Sequence, residues 1–322
     1  MSASAFVFPG QGSQSLGMLA ELAMAYPLVK TLFEEVSDHL GYDVWRLTQE
    51  GPLDVLNQTA HTQVAMLTAD VAVFRVLEQR MALSKTAVLA GHSLGEYAAL
   101  VCAGALSLAD AARLVQRRGQ LMQETVPLGV GAMAAIVGLT DDQVLEICQA
   151  VSTELSFVSP ANYNAVGQVV IAGHTAAVHD AIQQAEQKDA RMAVLIPVSV
   201  PCHCLLLKPA ADEFTQTLQS TAFQTPHRVV MSTVNLMPYD APASMRSVLA
   251  EQLYRPVQWV LTIQAMKKQG TALVIECGPG KVLAGLIKRI DKSIAAFSVN
   301  DSQSLERAEA ELVLLGEGVK CG

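Results

Sequence analysis

Charge is scarce in this chain, and so are aromatic rings: Asp, Glu, Lys and Arg make up 16% of the 322 residues, and Phe, Trp and Tyr 5%. The charge that is present leans acidic, to a net of −8, where a nucleic-acid binder would show a basic excess. A small anionic substrate is not excluded, because one positioned cation outweighs a diffuse global charge. No apolar run suits a membrane span: the longest uncharged stretches, such as Val126 to Leu139, are too short and are broken by Pro127, Gly129 and Gly131. The stretch Met1 to Phe8 has no basic segment and reaches Pro9-Gly10 too soon for a signal peptide. The six cysteines include no C-x-x-C pair and read as reduced thiols, so the expectation is a cytoplasmic protein. Cys202-His203-Cys204 hints at zinc. Adjacent side chains splay apart, however, and no second ligand cluster accompanies them, so no metal is expected.

What the chain has in quantity is apolar residues, 51% of the total, enough for a large core in one or two domains. Its most informative stretch is Gly91-His92-Ser93-Leu94-Gly95, a G-x-S-x-G pentapeptide. The apolar run Ala87 to Ala90 before it suits a buried strand, and Glu96 to Ala103 after it suits a helix. Strand, sharp turn and helix are the context in which such a serine acts as a nucleophile. The glycines admit a strained turn that lifts the Ser93 hydroxyl clear of the sheet. The helix start behind it offers N–H groups and partial positive charge to an oxyanion. The competing reading is an ordinary glycine-rich turn.

Periodicity orders the rest. Phe6 to Phe8 reads as a buried strand running into Pro9-Gly10-Gln11-Gly12-Ser13-Gln14, a loop with backbone donors for an anion. It is not a dinucleotide fingerprint, because Gly17 falls at the wrong spacing and Pro27 to Leu40 reads helical. Gln63 to Arg80 is helical, and Ser107 with Asp110 opens another helix whose apolar stripe is flanked by Arg118. Beside such a stripe a guanidinium either snorkels to water or awaits a carboxylate, and periodicity alone favours snorkelling.

Pro127 to Gly131 reads as a hinge. Beyond it follow a strand (Ala132 to Val137), a helix (Asp141 to Val151), two strands (Leu155 to Asn162 and Val166 to Ala172), a helix (Ala176 to Lys188) and a strand (Met192 to Val198). This βαββαβ order is ferredoxin-like. We expect residues 128–200 to be a small domain inserted into a larger α/β domain made of residues 1–127 and 201–322. In the larger domain strands and helices alternate again, with helices at Leu205 to Gln219, Met245 to Leu253, Val260 to Gln269, Val282 to Ile290 and Ser302 to Leu315. Strands are expected at Val229 to Ser232, Thr271 to Glu276 and Ile294 to Val299, and Gly316 to Gly322 as a frayed tail. That alternation implies a parallel sheet covered on both faces.

A serine needs a base. Among the seven histidines, His92 sits on the turn and should point elsewhere. His39, His61, His174, His179 and His227 have polar surroundings and read as surface residues. His203 follows Pro201 at the seam between the two expected domains, where pockets form. An ordinary α/β-hydrolase keeps the order Ser, acid, His, with the histidine late. Here more than a hundred residues follow His203. A Ser–His pair oriented by a carbonyl or amide is therefore favoured over a full triad.

Several segments, in order and covering most of the chain, resemble the acyltransferase family of fatty acid and polyketide synthases, and within it the bacterial malonyl-CoA:acyl carrier protein transacylases. They are Phe8 to Gln14, the Gly91 to Tyr97 elbow, Arg118-Gly119, Gly131 to Ala135, Ser159-Pro160 with Asn162 and Asn164, Gly167 to Gly173, Val198 to Ala211 and Gln252 to Trp259. The resemblance implies an α/β-hydrolase-like large domain with an inserted ferredoxin-like one. It matches Ser93 to the nucleophile, His203 to its base, and the Gln11 and Leu94 N–H groups to the oxyanion hole. Arg118 matches the arginine that binds the malonyl carboxylate, which reverses the snorkelling preference. Gln252 matches the residue whose carbonyl orients the histidine. Gln63, Met122, Met133 and Asn162 match pocket-lining positions, although core packing or turn roles would serve for each.

The resemblance further implies malonyl-CoA and the phosphopantetheine arm of an acyl carrier protein as partners; a thioester exchange needs no cofactor, the acidic balance and lack of a span lead us to expect no nucleic-acid or membrane partner, and a monomer is expected. The carrier is acidic in that family, so docking would use local basic groups such as Lys281, Lys288, Arg289 and Lys292; these are equally a solvated helix face. One departure concerns acyl selectivity: Cys202 stands where the family usually has serine; elsewhere Thr62-Gln63-Val64 replaces Thr-Gln-Pro. A malonyltransferase of malonate decarboxylase or polyketide synthesis, a serine hydrolase and a non-catalytic carrier-docking module remain alternatives.

Overall fold

The computed structural model describes residues 4–198 and 200–320. Five strands, β1 (Ser4–Phe8), β3 (Val88–Gly91), β8 (Val229–Met231), β9 (Leu273–Cys277) and β10 (Ala295–Val299), form an all-parallel sheet in the order β10-β9-β1-β3-β8. Parallel neighbours require crossover connections, and these place helices on both faces. The strands show it in their side chains. Phe6 and Phe8 of β1 enter one core, with the helix Thr59–Arg80, while Ala5 and Val7 enter the other, with Trp259, Ile263 and Ile287. A helix so enclosed needs no polar face, which is why Gln63 to Leu77 is almost continuously buried.

Four further strands, β4 (Gly131–Val137), β5 (Val158–Ala165), β6 (Gln168–His174) and β7 (Met192–Leu195), make an antiparallel sheet in the order β5-β6-β4-β7. The helices Asp141–Val151 and Thr175–Gln187 cover one face. This is the ferredoxin-like arrangement. The other face, with Met133, Ala161, Val170 and Ala172, packs on Cys204 and Leu206 of the larger part. Entry and exit of this sheet touch: a methyl group on Gly131 would lie 2.4 Å from Pro201 Cγ.

Several boundaries differ from the periodic reading. The strand expected at Leu155 to Asn162 begins at Val158, because Thr153 and Ser156 close a turn by mutual hydrogen bonds and leave Leu155 at its exposed tip. Its partner begins at Gln168 rather than Val166, because Gly167, at φ 69°, forms the hairpin turn. β7 stops at Leu195, two residues short of Pro197, which has no N–H for the ladder. Leu205–Leu207 is a 3-10 turn and the helix proper is Lys208–Ser220. The helix expected at Met245 starts at Pro242 and ends at Glu251. The expected frayed tail is paired: β11 (Gly318–Val319) lies antiparallel to β2 (Met81–Ala82), and Ser4 Oγ donates to Glu317. Residues 321 and 322 of that tail lie outside the described residues.

Candidate active site

β1 and β3 end side by side, and the chain turns outward from both at the carboxyl edge of the sheet, where open α/β folds bind ligands. At the end of β3 the turn is tight. Ser93 has φ 54°, a left-handed conformation that costs a non-glycine residue about 1 kcal/mol or more. The flanking glycines make it possible. A methyl group on Gly91 would lie 1.9 Å from Gly95 C, and one on Gly95 would lie 2.0 Å from Phe8 O. The helix Gly95–Cys102 therefore starts directly against β1, with its N-terminus beneath the serine. The Pro9–Gln11 loop rests on the same turn, since a methyl group on Gly10 would lie 2.7 Å from His92 O. That brings the loop ending in Gln11 against the turn that carries Ser93 and Leu94. Of the expected loop donors, the Gly12 N–H is taken by Gln14 Oε1 at 2.8 Å.

His203 Nε2 lies 2.8 Å from Ser93 Oγ. Its Nδ1 lies 2.7 Å from the Gln252 carbonyl oxygen. A carbonyl only accepts, so Nδ1 carries the proton and Nε2 is left as acceptor for the serine hydroxyl. The backbone holds the histidine too: its N–H donates to Leu253 O at 3.0 Å, and its φ is 64°. The side chain is 3% exposed. Burial first, and the Arg118 charge second, push its pKa down to about 3, so it is unprotonated at neutral pH. The thiols on either side are engaged locally, Cys202 with Val200 O and Cys204 with Pro201 O.

Arg118 does not snorkel; it is 1% exposed. Gly119 lets its helix approach Thr59–Arg80, since a methyl group there would lie 2.5 Å from Ala60 Cα. The guanidinium thus points inward. It donates to Gln63 Oε1 at 2.9 Å, Gln252 Oε1 at 3.1 Å and Ser93 Oγ at 3.2 Å, with the Tyr97 ring at 5.7 Å. Among the described residues no carboxylate pairs with it directly. A helical stripe reports which face is apolar, but not whether water or protein lies at its margin.

Gln63 is part of the same network, donating to Gln11 Oε1 at 3.2 Å and approaching Met122 Sδ at 3.5 Å. Met133 is buried, and its sulfur accepts from the Cys202 N–H at 3.3 Å. Asn162 is buried on β5 in a bridge to Val257, and no hydrogen bond ties its side chain to this network. Its neighbour Asn164 is the one that reaches the elbow, through His92 Nε2 at 2.8 Å. His92 points away from the serine as expected, edge-on to Trp259. Of the five histidines read as surface residues, His39, His179 and His227 are exposed. His61 packs on Tyr42, and His174 accepts from the Phe157 N–H, so both are half-buried.

One acid escaped the sequence reading. Glu96, 0% exposed, receives hydrogen bonds from Tyr239 at 2.6 Å, from Thr233 at 3.1 Å and from Gln252 Nε2. Burial raises its pKa and these donors lower it, burial being the larger effect. The signal available was a lone charge in an otherwise apolar helix.

The family described as acyl transferase domain matches residues 5–310. The malonyl CoA-acyl carrier protein transacylase of Salmonella typhimurium is 49% identical over 308 residues, covering 96% of this chain and 99% of the relative. The crystal structure of an acyl carrier protein S-malonyltransferase from Vibrio cholerae is 49% identical, with a TM-score of 0.93, covering 95% of this chain and 100% of that one. A malonyl-transacylase solved in complex with a type II PKS acyl-carrier protein is 46% identical, with a TM-score of 0.93 over 96% of this chain and 100% of that one.

Proposed function

The chain belongs to the acyl transferase domain family, and within it we propose that the protein transfers a malonyl group from malonyl-CoA to the phosphopantetheine thiol of an acyl carrier protein through a malonyl ester on Ser93. The observation that carries this reading is the buried Arg118, hydrogen-bonded only to neutral acceptors and 3.2 Å from the Ser93 hydroxyl. A buried cation without a carboxylate is costly unless an anion arrives, and malonyl differs from acetyl by the carboxylate it would bring.

His203 takes the serine proton as Ser93 Oγ attacks the thioester carbonyl. The Gln11 and Leu94 N–H groups receive the oxyanion, each such donor typically lowering the barrier by roughly 3 kcal/mol. The thioester C–S bond breaks, the His203 proton passes to the CoA sulfur, and the malonyl-serine remains. The carrier thiol then gives its proton to His203 and attacks the ester, and Ser93 Oγ leaves with that proton. Thioester replaces thioester, so the exchange needs no added energy source. On this reading residues 128–200 are the inserted domain, 1–127 with 201–322 the large one, and Lys281, Lys288, Arg289 and Lys292 the docking patch. The enzyme would work in the cytoplasm and supply malonyl units for fatty acid synthesis. Among the described residues no helix is long and apolar enough to cross a membrane.

Intact-protein mass spectrometry after mixing with malonyl-CoA tests the reading. A malonyl adduct on Ser93 that persists until holo-carrier protein is added is expected. An adduct that discharges to water at the same rate without carrier would make the protein a hydrolase.

A further inference from the structure

Taking malonyl transfer as above, we infer that Glu96 is the counter-ion of Arg118, acting at one remove through the side-chain amide of Gln252, and is thereby a positioning residue for selection of the acyl group. The two charged groups never touch. Arg118 donates to Gln252 Oε1 at 3.1 Å, and Gln252 Nε2 donates to Glu96 Oε2. The second Nε2 hydrogen goes to Ser93 O at 3.1 Å, and the main-chain carbonyl of the same glutamine holds His203. Every polar atom of the Gln252 side chain is therefore committed, and one residue joins the base, the nucleophile backbone and the cation.

An amide polarised between a cation at its oxygen and an anion at its nitrogen strengthens both hydrogen bonds. Around Glu96 the structure supplies donors: the Tyr239 hydroxyl, the Thr233 hydroxyl and the Gln252 amide. An amide N–H cannot accept, so that contact favours the ionised carboxylate. Glu96, Arg118 and Gln252 are all essentially excluded from solvent, where an isolated charge is strongly penalised and one offset by an opposite charge nearby is penalised less. A carboxylate placed directly on Arg118 would compete with the substrate. One placed beyond an amide offsets the buried charge only in part and leaves the guanidinium able to take a carboxylate directly. Glu96 thus holds Arg118 in position without occupying its site.

The test is calorimetric binding of malonyl-CoA and acetyl-CoA to Ser93→Ala, which binds without turnover, alone and combined with Glu96→Gln. The amide of the variant keeps the size and can still bond to Tyr239 and Thr233 while losing the charge. We expect malonyl-CoA to bind about 10-fold more weakly in the double variant, with acetyl-CoA unchanged within about twofold and the melting temperature close to that of Ser93→Ala. Thr233→Val, which removes one donor but keeps the carboxylate, should preserve the malonyl preference. If both ligands weaken equally, or neither does, Glu96 is structural and the inference fails. A wild-type enzyme that forms no malonyl adduct would instead remove the functional reading and the inference with it. If Glu96→Gln does not fold, loss of the malonyl preference in Thr233→Val would equally overturn the charge-based argument.

Discussion

Ser93 and His203 meet at 2.8 Å with both backbones in the left-handed region, at φ 54° and 64°. Each side chain is therefore presented by a strained turn, one at the end of a parallel strand and the other on the return from the antiparallel sheet. Strain of this kind persists only where the surroundings impose it.

The first expectation concerns those surroundings. Gly95→Ala would put a methyl group 2.0 Å from Phe8 O, and neither the helix nor β1 can yield without moving Ser93. We expect a loss of at least about 2–3 kcal/mol of stability, read as a melting temperature several degrees lower or as loss of soluble protein. An unchanged melting curve would contradict the described elbow.

Arg118→Ala should discriminate between substrates. Truncating one member of a buried charge pair costs about 2–5 kcal/mol, so kcat/KM for malonyl-CoA should fall roughly 30-fold or more. Acetyl transfer, which offers no carboxylate, should be spared or raised. Steady-state kinetics with both thioesters decides, and equal losses would remove Arg118 from carboxylate recognition.

The pH dependence follows from His203, held at about 3 by burial and then by Arg118. The free enzyme keeps its base neutral through mildly acidic pH, so kcat/KM should lack an acid limb near 6.5. A malonyl carboxylate on Arg118 cancels the repelling charge, so the limb of kcat should lie at higher pH than that of kcat/KM. The unfolded chain binds this proton near the ordinary 6.5, whereas the folded chain refuses it until about 3. Between those values the unfolded state holds more protons, and stability contributed by this site rises with pH. A kcat/KM limb between 6 and 7 that disappears with His203 would refute the burial argument.

Cys202 borders the site, yet burial pushes its thiol up to about 11. Thiolate is the reactive form, so alkylation by iodoacetamide at neutral pH should be roughly 100-fold slower than for a free cysteine. A mass-spectrometric time course on the folded protein measures this. Labelling at the free-thiol rate would show that Arg118 outweighs burial there.

How much of this was legible in the sequence depended on the range of the signal. Ser93 sits in a local pattern whose strand, turn and helix are adjacent in the chain, and its glycines have steric reasons only a few residues away. The fold class was legible because alternation of elements is itself local. Arg118 and Glu96 are different. Periodicity placed Arg118 at the margin of a stripe, and only Gln63, Ser93 and Gln252, brought by three other segments, decide that the margin is dry. Glu96 takes its partners from residues 233, 239 and 252, far outside any helical repeat. The β5–β6 hairpin slipped because apolar residues continue through its turn, and the C-terminal strand was missed because two residues carry no period.

The contact between Gly131 and Pro201 sets how the two lobes communicate. The His203 imidazole hangs two residues beyond that seam. Tilting one sheet against the other would therefore swing that imidazole away from the Ser93 hydroxyl, 2.8 Å from it here. On the proposed mechanism, alignment of the two sheets and readiness for chemistry become a single mechanical condition, and a structure forced apart at this seam would hold a disarmed serine.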